Sequence, residues 1–65
     1  MRYMIDITRW DDTESGIDVN EKTNAYTLFH ALFSMACNSC ENIKNITLWE
    51  INPGVSVDIL KSVDF

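Results

Sequence analysis

Sixty-five residues, 46% hydrophobic and 23% charged, read as one small domain over residues 1–65, with material for a modest core and little room for a self-contained active site. Ten acids against five bases leave a formal charge of −5, which argues against nucleic acid or an anionic membrane as the direct partner. No segment has the apolar run of a secretory signal. The stretch Thr23 to Cys40, free of Asp, Glu, Lys and Arg, carries Thr23, Asn24, Thr27, His30, Ser34, Asn38 and Ser39, too polar for a membrane span, so a cytoplasmic location is expected.

In chain order, Tyr3, Ile5 and Ile7 alternate with Met4, Asp6 and Thr8, the period of a strand with one face toward a core. The turn formers Asp11-Asp12-Thr13-Glu14-Ser15-Gly16 follow, and Ile17 and Val19 alternate with Asp18 and Asn20 in a returning strand. From Thr23 or Asn24, either a suitable N-cap, the period becomes helical and brings Ala25, Leu28, Phe29, Leu32 and Ala36 to one side. The apolar arc is wide, about 200° of the circumference at 100° per residue. The other side holds His30, Ser34, Thr27, Asn38 and Ala31 without a formal charge, so part of that flank is expected to be covered.

The helix is expected to end near Cys40 to Asn42. Ile46-Thr47-Leu48-Trp49-Glu50-Ile51 reads as a third strand, and Asn52-Pro53-Gly54 places Pro and Gly as a type II turn favours. Val55, Val57, Ile59, Val63 and Phe65 then alternate with Ser56, Asp58, Leu60, Ser62 and Asp64 in a fourth strand. The fold class is therefore α+β, hairpin-helix-hairpin (ββαββ), with one helix packed on one face of a four-stranded sheet. This order resembles the β-grasp arrangement of the small immunoglobulin-binding bacterial domains, which implies that the first and last strands lie parallel at the sheet centre.

Chemistry-bearing patterns are few. Cys37-Asn38-Ser39-Cys40 is a CxxC, but it falls at the end of a helix, where the dipole disfavours a thiolate, and lacks the strand-helix context of a redox motif. As a zinc site it supplies two ligands of four, with His30 seven residues before Cys37, so closure would need a second chain. Apolar packing of both thiols is the expected role, and no metal or other cofactor is expected. His30 stands without a nucleophile or an orienting carboxylate in its pattern, and Gly16 and Gly54 both belong to turns, so no phosphate-cradling loop is present and no enzymatic activity is expected.

Charge placement says more. Residues 1–21 hold six acids (Asp6, Asp11, Asp12, Glu14, Asp18, Glu21) and two bases, and residues 22–65 hold four acids and three bases. With Ile5, Ile7, Ile17, Val19, Val57 and Ile59 toward the helix, Met4, Trp10 and Leu60 are expected on the open face, while the side of Trp49 depends on the register of the last hairpin. Met4, Asp6, Trp10, Asp11, Asp12, Glu14, Asp18 and Leu60 are thus the candidate partner-binding residues, apolar anchors beside acids that steer association. Size, the Asp11-Asp12-Thr13-Glu14 turn and the element order resemble the small accessory proteins of phages and mobile elements, anti-CRISPR proteins among them. That resemblance implies an inhibitor that occupies a basic surface of a protein partner, one that itself handles nucleic acid, without chemistry of its own. The rival expectations are a homo-oligomeric structural or assembly protein and a zinc- or thiol-dependent small protein using Cys37 and Cys40, and the uncovered apolar groups point to a homodimer.

Overall fold

A computed structural model describes residues 2–39 and 42–65. The order is β1 (Arg2–Arg9), β2 (Glu14–Val19), α1 (Lys22–Ser39), β3 (Ile43–Asn52) and β4 (Ser56–Asp64). All strands pair antiparallel in one sheet of order β2-β1-β3-β4, with the helix on one face. The α+β class and the ββαββ order agree with the sequence pattern.

The strand order departs from the β-grasp arrangement. In place of a parallel β1–β4 pair, β1 pairs antiparallel with β3, and β4 is an edge. β2 and β3 thus run in the same direction with β1 between them. Two strands running the same way need a crossover, which the helix supplies. Asp58, Lys61 and Asp64 suit β4 to an edge, because charges there discourage pairing with further chains.

The core lies between α1 and the two central strands: Tyr3, Ile5 and Ile7 of β1, Ile46 and Leu48 of β3, and Ala25, Phe29 and Ala36 of α1 are buried. The three helix residues recur at spacings of four and seven, which keeps them on one stripe. The helix begins before the anticipated caps: the Ala25 amide donates to the Glu21 carbonyl at 2.9 Å, so Glu21 opens it. Its polar flank, where a cover was expected, is exposed at Thr27, His30, Ala31, Ser34 and Asn38. Cys40 lies outside the described residues.

Both hairpin turns follow their chemistry. Val55 donates to the Asn52 carbonyl at 3.0 Å across Pro53 and Gly54, whose φ of 74° is the left-handed value that position requires. In the first turn Asp12 takes φ 67°, a conformation that Asp tolerates better than most residues.

Candidate functional site

Strand register distributes side chains between the two faces. Beside the buried residues of β1, the intervening Met4, Asp6 and Thr8 point away from the helix, and their cross-strand partners on β3 are Trp49, Thr47 and Asn45. On β2 they face Asp18, Gly16 and Glu14. A side chain at Gly16 would come within 3.6 Å of the Met4 sulfur, as expected for neighbours on one face.

The largest departure from the sequence reading is in β4. Trp49 pairs with Ile59, whereas Leu48 pairs with Lys61, so Leu60 is an extra residue in a β-bulge. The inserted residue exchanges the two faces along the strand. Val57 and Ile59, expected against the helix, are 60% and 58% exposed on the open side. Leu60, expected on the open face, packs against the core, as does Val63. Trp49 shares the open face with Ile59.

Met4, Trp49 and Ile59 therefore lie side by side on three adjacent strands, with Ile51 and Val57 in the next row. At ~4.8 Å between strands this is a continuous apolar band about 10 Å across. Met4, Trp49 and Ile51 are half-buried by their neighbours. No element of the described chain covers the band, because the one helix lies on the opposite face.

The rest of the open face is polar and closed on itself. Thr47 Oγ1 donates to Asn45 Oδ1 at 2.6 Å, Asn45 Nδ2 donates to Ser62 Oγ at 3.1 Å, and the two hydroxyls of Thr47 and Ser62 lie 3.0 Å apart. Since Thr47 has given its only hydrogen to Asn45, Ser62 donates to Thr47 and the three side chains form a ring. Asn45 also reaches the Val63 carbonyl and Asp64 Oδ1, at 3.1 and 2.8 Å. The ring satisfies Thr47, the buried polar residue of this layer. By register, Asp6, Glu14, Asp18 and Asp64 also belong to this face, with Arg2 as its base. Arg2 Nη2 meets Asp18 Oδ1 at 3.1 Å.

The anticipated binding residues thus divide. Met4, Asp6, Glu14 and Asp18 share the open face. Trp10, Asp11 and Asp12 stand in the first hairpin turn, and Trp10 lies six residues along from Met4, about 20 Å at the rise of a strand. Trp10 is 58% exposed, its amide donates to the Asn42 carbonyl at 3.2 Å, and Lys44 Nζ sits 5.6 Å from its ring centre. Asp11 serves the turn itself: the Thr13 hydroxyl and amide both donate to its Oδ1, at 2.6 and 3.1 Å, and hold its carboxyl below the ordinary value. Trp49, Ile51, Val57 and Ile59 were missed. The signal was in β3, where apolar residues occupy both alternations, Ile46 and Leu48 on one and Trp49 and Ile51 on the other.

Cys37 is exposed, contrary to the expected apolar packing. It falls on the outer flank of a helix whose buried stripe is Ala25, Phe29 and Ala36. Among the described residues, no three His, Cys, Asp or Glu side chains converge as a metal centre would need. No helix among them is long and apolar enough to cross a membrane.

Comparison with protein-family models, with curated proteins and with solved structures finds no match. The site is therefore described by its own geometry: an uncovered apolar band on a four-stranded sheet, continuous with a mainly acidic margin.

Proposed function

We propose that the protein is a non-enzymatic binding module that occupies a basic surface of a nucleic-acid-processing protein and inhibits it by doing so. The observation that carries this reading is the continuity of the Met4-Trp49-Ile59 row with Asp6, Glu14 and Asp18 on the same face. Large apolar side chains uncovered in a contiguous patch mark interaction surfaces, and Trp is prominent among the residues that anchor them. Four acids beside one base favour a positive counter-surface, such as one shaped to hold phosphates, and would steer its approach. The narrower identity, a defence inhibitor of the anti-CRISPR kind, rests on the resemblance in size, element order and acidic hairpin.

A homodimer through this same face would set the acids of one copy against those of the other, a repulsion that a basic partner does not meet. A heterologous partner is therefore the favoured reading. The test is affinity capture from the native cells with the wild type, with Ile59→Lys, and with the double variant Glu14→Lys, Asp18→Lys. The expected result is one nucleic-acid-processing protein retained by the wild type, released as salt rises, lost from both variants, and impaired in binding its nucleic acid when the wild type is added. Retention of the same proteins by all three baits, or self-association alone, would overturn the reading.

A further inference from the structure

A cleft of about 310 Å³ lies between α1 and β4, lined by Phe29, His30, Phe33, Lys61, Ser62 and Val63. It exists because the helix backbone lies over β1, β2 and β3 and stays clear of β4. The inner side of that edge strand therefore lacks a full second layer. Phe29, Phe33 and Val63 make apolar walls, and the Phe65 ring, 5.7 Å from that of Phe33, extends one of them.

Two nitrogen groups stand together among these walls. Lys61 Nζ lies 3.4 Å from His30 Nε2 and 5.9 Å from the ring centres of both Tyr26 and Phe29. An ammonium only donates, so Nε2 accepts from it, and two further N–H groups of Lys61 remain for another acceptor. No carboxylate among the described residues lies within ion-pair distance of Lys61, although acids outnumber bases two to one in this chain; the ion pair found is Arg2 with Asp18.

The bulge brings Lys61 to this place. On an unbroken strand Lys61 would share a face with Ile59, two residues earlier; with Leu60 inserted, Ile59 lies on the open side and Lys61 stands opposite Leu48 on the helix side. Bulges commonly re-aim a side chain in this way, often beside a functional site. A bulge with an inward-pointing lysine also protects an edge strand from pairing with other chains. Edge protection asks nothing of His30 or of the aromatic walls.

We propose that this cleft binds a small monocarboxylate with an aromatic or branched apolar body. Lys61 takes the carboxylate beside His30, and Phe29, Phe33 and Val63 take the body. The volume stands at the lower end of small-molecule pockets, which run to ~300–1,000 Å³. A phosphate dianion is a poorer fit, since such groups are held by forked arginines or rows of backbone N–H, whereas here one ammonium and one imidazole, both on exposed residues, stand beside aromatic walls.

The test is a titration of the ¹⁵N-labelled whole chain with 3-phenylpropionate, with the neutral 3-phenylpropanol and with inorganic phosphate. The acid is expected to give saturable shifts confined to Phe29–Phe33 and Lys61–Val63. Its affinity should fall about tenfold in Lys61→Met, the weight of one hydrogen bond to a charged group, and the alcohol should bind wild type more weakly by a similar factor. Phosphate should leave these resonances unmoved. If the methionine variant self-associates through β4, Lys61→Gln serves in its place. Absence of saturable shifts with the acid, equal affinity for the alcohol, acid binding indifferent to Lys61, a saturable response to phosphate, or shifts centred on Trp49 and Ile59 would each overturn the proposal.

Discussion

The two faces of the sheet are both apolar and have different fates. On one, Tyr3, Ile5, Ile7, Ile46 and Leu48 are buried beneath the helix; on the other, Met4, Trp49, Ile51, Val57 and Ile59 form a band that nothing in the described chain covers. The difference lies in the cover: a single helix shields one side of a four-stranded sheet, so the second face keeps whatever apolar groups the sequence places there. The open face is also divided along its length, with the apolar band at the Gly54 turn end and the Asn45-Thr47-Ser62 ring toward the first turn.

The comparison breaks most visibly at the covered face. Leu48→Ala should cost about 2–5 kcal/mol, as truncation of a fully buried leucine does, a large fraction of the total stability of a domain this small. Urea denaturation followed by tryptophan fluorescence checks it. A cost below about 1 kcal/mol would show that the helix does not seal this face.

Next comes the polar half of the open face. Asn45→Ala removes the acceptor for Thr47 and the donor to Ser62, Val63 and Asp64, so about 1–2 kcal/mol is expected from the same measurement. Asn45→Asp should rescue only part of it, because a carboxylate keeps the acceptor for Thr47 but loses the amide donor.

Ile59→Thr sharpens the contrast with Leu48. The residue is 58% exposed and β-branched before and after the change, so stability should move by no more than about 0.5 kcal/mol, while capture of the partner weakens. Unchanged capture would place the interface elsewhere on the molecule.

The smallest effect is expected in the first turn, away from both faces. Thr13→Val removes the hydroxyl that donates to Asp11, so the Asp11 midpoint in a ¹³C-detected NMR titration should rise toward the ordinary carboxylate value. Because the folded-state pKa lies below the unfolded one, these bonds favour folding above the unfolded-state pKa, and that preference is lost as pH falls through the folded-state pKa. A midpoint unchanged by the substitution would assign the lowering to the remaining contributors, the backbone amides of Thr13 and Asp11 and the nearby Arg9 charge.

Local pattern sufficed for the elements themselves. Alternation in β1 and β2, the helical stripe of Ala25 and Phe29, and the Pro53-Gly54 turn are written in neighbouring residues, and these gave the ββαββ order and most of the core. The acids of β2 were likewise legible as a charged hairpin. Three decisions were tertiary. Strand order depends on which edges meet across the sheet, and antiparallel pairing of β1 with β3 won over the parallel β1–β4 pair that element order suggested. The bulge at Leu60 is one residue of register set by packing against β3, and it separates Val57 and Ile59, on the open side, from Leu60, Lys61 and Val63, on the helix side. The open apolar band follows from both, because periodicity tells which residues share a face only along an unbroken strand, and only the docking of the helix tells which face is left uncovered.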